Sequence, residues 1–236
     1  MAKATSEGKR QARAAKAAQA AQAARAVRAK PRDRYHHGDL RQALLDAAVA
    51  LVEREGRRAL TLRGVARLLG VSQAAPYRHF ADKEALLAAV AEGGLRALAA
   101  QMGEAAAAQG ADRAARFQAL GVAYVEFAAA QTARFRVMFM ALSADEGAYP
   151  SLSEAYGQVF GLLREAIAAC QAEGLVRAGD PRRLALAAWS IVHGLAELET
   201  NGQLPRLGLE AAATHDLAAS VTRALFVGLA PRGEKA

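Results

Sequence analysis

The sequence predicts an all-α protein, with a small three-helix domain first and a larger helical domain after it. Three observations carry this. Ala, Leu and Val dominate a chain of 236 residues that is 53 % hydrophobic and holds six prolines, a composition that favours helix over sheet. Apolar residues recur three and four apart in segment after segment, and no strand-like alternation competes with them. The segments are punctuated by Ser, Thr or Asp at their starts and by Gly at their ends.

Residues 1–34 stand apart. They are almost all Ala, Lys, Arg and Gln, with ten Lys/Arg against Glu7 and Asp33, which accounts for the whole formal net charge of +8. The remaining chain is neutral. A basic arm on a neutral body suggests a polyanion such as nucleic acid, and Arg34 at its end is a candidate contact. Two other readings stay open, a solvated disordered tail and an Arg-rich organellar transit segment. The arm has no stripe of large apolar side chains to dock a helix.

The first domain is expected over residues 35–87. In "GDLRQALLDAAVALVEREG", Leu40, Leu44, Ala47 and Leu51 share a face, Asp39 is a candidate N-cap and Gly56 lies past the end. "TLRGVARLLG" follows, with Thr61 as N-cap, Leu62, Val65, Ala66 and Leu69 inward, and Gly70 as the stop. After a turn of about three residues comes "VSQAAPYRHF", read as a helix capped by Ser72. "ADKEALLAAVAEGGLRALAAQM" then starts at Asp82 and runs well past Met102. Two short helices joined by a tight Gly-containing turn, with a third packed across them, is the helix-turn-helix plan.

Pro76 sets the expected register of the reading helix. With Ser72 as N-cap, Pro76 is the fourth helical residue and loses one hydrogen bond, to the Ser72 carbonyl. Gln73, Ala74 and Tyr77 then project outward, while Phe80 and Val71 turn inward. Gln can bond adenine bidentately in the major groove and Ala can touch a thymine methyl. Tyr77, Arg78 and His79 complete an aromatic–basic cluster in reach of phosphates. Lys83 places a cation at a helix N-terminus, against the macrodipole, which suits a phosphate held there. Local neutralisation by Asp82 and Glu84 is the alternative. Thr61 and Arg63 open the preceding helix in a way that also suits backbone contacts.

"TLRGVARLLGVSQAAPYRHFADKEALL" resembles the signature of the TetR family of bacterial transcriptional regulators. The matching positions are Thr61, Val65, Ala66, Gly70, Val71, Ser72, Tyr77, His79, Phe80, Lys83 and Leu86. Leu69 stands where Ala is frequent and Ala74 where Gly is frequent. The resemblance implies a homodimer on a near-palindromic double-stranded operator, with half-sites about 34–36 Å apart or a multiple of that. It also implies release of the DNA by a small molecule bound in the second domain.

The second domain, residues 88–236, is read as helices near 111–130, 131–142, 150–173, 180–201 and 209–229. Leu184, Ala188, Ile191 and Leu195 recur along one of them, and Leu217, Val221 and Leu225 along the last. Such a pair can form half of a four-helix dimer interface or can face the chain's own core. "WSIVHG" resembles the Trp-x-x-x-His-Gly hallmark of one TetR C-terminal class. Phe117, Tyr124, Phe127, Phe135, Phe139 and Trp189 suit either an apolar ligand cavity or a plain core. A mostly apolar effector is expected, with Arg134, Gln158 or His193 as polar handles. Gly93-Gly94 interrupts the helix that leads into this domain and serves either as a pivot or as a close-packing point.

Enzyme chemistry is not expected. The single cysteine, Cys170, lies among Ala and Ile, His36-His37 lacks further metal ligands, and no Gly-rich phosphate loop is present. Neither cofactor nor metal is expected. With one cysteine, no charge-free apolar run of about 18 residues and no secretory leader, the chain reads as cytoplasmic and not membrane-bound.

Overall fold

The computed structural model describes residues 37–141, 147–209 and 213–231. The basic arm, Arg34 with it, lies outside those residues. All regular structure among the described residues is helical, and the chain divides into two compact units at Ala81/Asp82. The division falls six residues before the expected boundary at 87, because Lys83 onward belongs to one continuous helix that packs within the second unit.

In the first unit, α1 (His37–Glu55) and α2 (Leu62–Leu69) pack together, joined through a 3-10 turn at Arg57–Ala59. The helix α1 begins before Asp39, so Asp39 lies inside it rather than capping it. Leu44, Ala47, Ala48, Leu51 and Val52 are buried, as the three-and-four spacing requires. Gly56, at φ +79°, ends the helix in a conformation that suits glycine. Thr61 caps α2: its hydroxyl oxygen accepts the Gly64 N–H at 2.9 Å, a contact worth about 1 kcal/mol. Gly70 closes the helix at φ 69°, ψ 24°, and the Val71 N–H returns to the Ala66 carbonyl at 3.1 Å. Leu62, Val65 and Ala66 are buried.

The second unit is built around α4 (Arg113–Ala130). It packs against α3 (Lys83–Ala107), α5 (Thr132–Ala141), α6 (Pro150–Ala172), α7 (Pro181–Thr200) and α8 (Thr214–Leu229). Three helix starts carry side-chain caps. Asp82 accepts the Ala85 N–H at 2.7 Å, Asp112 the Ala115 N–H at 2.9 Å, and Asp180 the Arg182 N–H at 2.9 Å with Pro181 at the first helical position. The last helix starts at Thr214 rather than near 209, because Leu204–Leu207 forms a 3-10 turn first.

The helix α3 is long and apolar enough to cross a membrane by length and composition. Half of that stretch is buried inside the unit, against α4, α5 and α6, which accounts for its apolar character. It runs unbroken through Gly93 and Gly94. A Cβ on Gly94 would sit 2.5 Å from the Met138 Sδ, so close packing explains this glycine; one on Gly93 would meet nothing within 4 Å.

Candidate nucleic-acid interface and ligand cavity

The segment after Gly70 departs from the helix expected there. Ser72 is not an N-cap with its hydroxyl on the backbone; it opens a turn in which its carbonyl accepts the Ala75 N–H at 3.0 Å. Regular structure begins at Pro76, the first residue of a 3-10 turn running to Arg78 with Ala75 as its cap. The cause is the proline itself. It has no N–H to give the Ser72 carbonyl, so an i→i−3 bond from Ala75 takes its place, and a first helical position asks no N–H of it. The His79 and Phe80 N–H groups then both reach the Pro76 carbonyl at 3.0 Å.

This turn still sorts its side chains as the sequence requires. Pro76 and Phe80 are buried, whereas Ser72, Gln73, Ala74, Tyr77 and Arg78 are exposed. Tyr77 is 51 % exposed, a large aromatic presented to solvent. His79 is half-buried, its ring 6.4 Å from that of Phe80. The Arg41 guanidinium lies 5.5 Å from the Phe80 ring centroid on the same unit, within cation–π range. Arg63, Arg67 and Arg78 are exposed and make no ion pair among the described residues. Lys83 opens α3. Asp82 is engaged in capping that helix, and neither it nor Glu84 pairs with Lys83 among the described residues. Within the first unit, exposed Arg63, Arg67 and Arg78 on the elements that carry the Gln73–Ala74 turn suit a polyanion contact.

The second unit contains an apolar cavity. Counted with its open mouth it spans about 600 Å³. Of the expected residues, Phe117, Tyr124, Phe139 and Trp189 line it. Phe127 and Phe135 are fully buried core residues that do not line it, and Gln158 is exposed and off the wall. His193 and Arg134 do not line it either. The α6 wall is instead Tyr156, Val159, Phe160 and Leu163, a three-and-four stripe whose face Gln158 does not share. The sequence reading also missed Leu95 and Met102 of α3, Leu120 and Gly121 of α4, Ala188 and Val192 of α7, and Thr222 and Leu225 of α8 as wall residues.

The polar groups around the cavity bond to one another. The Tyr124 hydroxyl lies 2.9 Å from His193 Nδ1 and accepts the Trp189 indole N–H at 3.3 Å. His193 Nε2 is 4.0 Å from a Glu197 carboxylate oxygen. That carboxylate favours the imidazole proton on Nε2, which leaves Nδ1 to accept from the phenol. Burial pushes the Tyr124 phenol well above its ordinary value, and burial lowers His193, with Glu197 partly opposing. Rings close the cluster: Phe139 stands 4.6 Å and Trp189 5.4 Å from His193, centroid to centroid.

The expected dimer face divides. Leu184, Ala188, Leu195 and Leu225 are buried within the single chain and Leu217 and Val221 are half-buried, so most of that stripe serves the chain's own core. Ile191 is exposed, and the apolar side chains left outward near it in sequence or on α8 are Leu186 and Val227. Both helices carry apolar residues on more than one face, so spacing alone does not say which face turns inward. Cys170 is buried, its Sγ 3.5 Å from the Arg113 carbonyl, and burial raises its pKa, the opposite of an activated thiolate.

Known proteins share this architecture. A family model for bacterial regulatory proteins of the tetR family matches residues 44–90, and a tetracyclin repressor-like C-terminal domain model matches residues 117–225. A protein of unknown function from Rhodococcus sp. RHA1 is 36 % identical, with 84 % of this chain and 100 % of that chain covered at a TM-score of 0.71. The chain belongs to the TetR family. Two further solved members of the fold are more distant. The TetR family transcriptional regulator PfmR from Thermus thermophilus is 19 % identical (80 % and 99 % covered, TM-score 0.64). The fatty acid degradation regulator FadR from Bacillus halodurans is 18 % identical (81 % and 97 % covered, TM-score 0.63). No curated protein gave a significant match. In TetR terms, Thr61–Phe80 is the helix-turn-helix signature, and the cavity lies within the stretch matched by the C-terminal domain apart from Leu95 and Met102.

Proposed function

We propose that this TetR-family chain is a ligand-responsive transcriptional regulator of the cytoplasm, a repressor that binds a palindromic operator as a homodimer. A small, mostly apolar molecule entering the cavity releases it. The observation that carries the reading is the turn at Ser72–Arg78, where buried Pro76 and Phe80 hold Gln73, Ala74 and Tyr77 outward. Gln73 and Ala74 are the base readers. Ser72, Tyr77, Arg78, His79, Thr61, Arg63 and Lys83 are backbone contacts, joined by Arg34 from the arm. Dimerisation uses the outward apolar side chains Leu186, Ile191 and Val227 of α7 and α8. Trp189 and His193, one helical turn apart beside the cavity, support the Trp-x-x-x-His-Gly class of C-terminal domain.

Selection of bound fragments from the source genome supplies the operator. Gln73→Ala is expected to relax base preference at one position of each half-site, worth about 1–3 kcal/mol there. Unchanged preference at every position refutes this assignment of readers. Removing residues 1–34 separates the regulator from a sequence-nonspecific binder. The regulator keeps its site and loses affinity with a shallower salt dependence; the nonspecific binder loses nearly all binding.

A further inference from the structure

Among the described residues the cavity wall contains no Lys, Arg, His, Asp or Glu. Three polar side chains that border it, those of Thr222, Trp189 and Tyr124, are also occupied. The Thr222 hydroxyl donates to the Ala218 carbonyl at 2.8 Å and lies 3.1 Å from that of Ala219. The Trp189 indole N–H goes to the Tyr124 oxygen, and the Tyr124 hydroxyl pairs with His193 Nδ1, whose Nε2 lies 4.0 Å from a Glu197 carboxylate oxygen. Each of these donors is thus directed to a protein acceptor rather than into the slot. A carboxylate or an ammonium entering it would give up its water shell with no countercharge to replace it.

We propose that this cavity takes an uncharged hydrophobe and rejects its carboxylate and ammonium counterparts, and that the Trp189–Tyr124–His193 chain is the device that enforces the choice. The proposal rests on the effector reading above and narrows it to a chemical class. Tyr124 acts as a specificity-determining residue. Its hydroxyl keeps the Trp189 N–H and the His193 Nδ1 paired with each other through one oxygen, so that the wall shows carbon to the ligand. In Tyr124→Phe both lose that partner beside the cavity, and an anion finds a donor it was denied.

The test uses the full-length protein and three probes of one chain length: 1-octanol, octanoate and octylammonium, below their micelle concentrations at pH 7.5. Trp189 is the chain's single tryptophan and lies on the wall, so its emission reports occupancy without a label. Octanol is expected to shift Trp189 emission saturably, with both ions at least about 100-fold weaker. In Tyr124→Phe the preference for octanol over octanoate is expected to fall to less than about tenfold. Octanoate or octylammonium binding within tenfold of octanol in the unaltered protein overturns the uncharged class while leaving an effector site in place. A saturable response to none of the three overturns the effector reading itself. An octanol preference that survives intact in folded Tyr124→Phe removes the specificity role from the side-chain chain.

Discussion

The Tyr124 hydroxyl and His193 Nδ1, 69 positions apart in the chain, meet at 2.9 Å and fasten α4 to α7. Tyr124 is 2 % exposed and its oxygen also receives the Trp189 N–H. Tyr124→Phe therefore removes the partner of two half-buried polar groups at once. It is expected to lower stability by about 1–3 kcal/mol, read as a lower urea midpoint of the transition followed by Trp189 emission. A midpoint equal to that of the unaltered protein would show that the two groups find water instead.

The burial of His193 sets a pH dependence. Burial holds the folded His193 below its ordinary value near 6.5. As pH falls through that value the unfolded chain takes up the proton first, so stability is fully present above it and declines toward the lower, folded value. The urea midpoint is expected to drop between pH 7.5 and pH 5.5. In His193→Asn, whose side-chain oxygen can still accept from Tyr124, the drop should be smaller; an identical drop assigns the effect to other groups.

Gly121 and Thr222 bring α4 and α8 into close approach. A Cβ on Gly121 would lie 2.5 Å from the Thr222 Cγ2, and the Thr222 hydroxyl is anchored to the backbone of its own helix. Gly121→Ala is expected to cost about 1–3 kcal/mol by overpacking. Thr222→Ser removes the methyl and keeps the hydroxyl, so it should restore most of the loss when combined with Gly121→Ala. A double-mutant cycle with no coupling would place the strain elsewhere.

The paired glycines of α3 are expected to respond in opposite directions. Gly93→Ala meets open space and should stabilise by about 0.5–1 kcal/mol through helix propensity. Gly94→Ala meets the Met138 thioether at 2.5 Å and should destabilise. Thermal midpoints of the two single variants decide it, and equal gains in both would mean that Met138 swings aside without cost. DNA release in Gly93→Ala then tests the pivot separately, since that variant leaves the packing intact.

Thr61→Ala removes the hydroxyl that accepts the Gly64 N–H. A loss of about 1 kcal/mol is expected from the cap alone. Operator affinity should fall by more than Thr61→Ser causes, because serine keeps the capping hydroxyl that is proposed to contact the DNA backbone. Fluorescence anisotropy with a labelled operator measures both variants.

Much of the fold was legible because its signals are local. Thr61, Asp82 and Asp180 announce their helices through a side chain that reaches two or three residues onward, and Gly56 and Gly70 end theirs by adopting positive φ. The reading turn was legible in its exposed set and not in its register. The missing proline N–H costs a bond at a fourth helical position and none at a first, and which of the two the turn adopts depends on which neighbour takes the Ser72 carbonyl. The cavity was legible as an aromatic-rich region, not as a wall. Tyr156, Val159, Phe160 and Leu163 repeat at helical spacing, yet Gln158 sits between them in sequence and a quarter-turn or more off their face. On α7 the apolar residues surround the helix, and only packing decides that Leu184 and Ala188 turn in while Leu186 and Ile191 stay out.

The proline at position 76 has a further consequence, for exchange kinetics. Among the described residues the Gln73, Ala74 and Tyr77 amides make no backbone hydrogen bond, while Ala75, Arg78, His79 and Phe80 do. Their hydrogens should trade with solvent deuterium at nearly the rate of an unstructured peptide, without waiting for any opening of the unit. The turn that presents the reading side chains thus keeps three donors free. On operator DNA they are the amides whose slowing would map the phosphate footprint, one residue at a time.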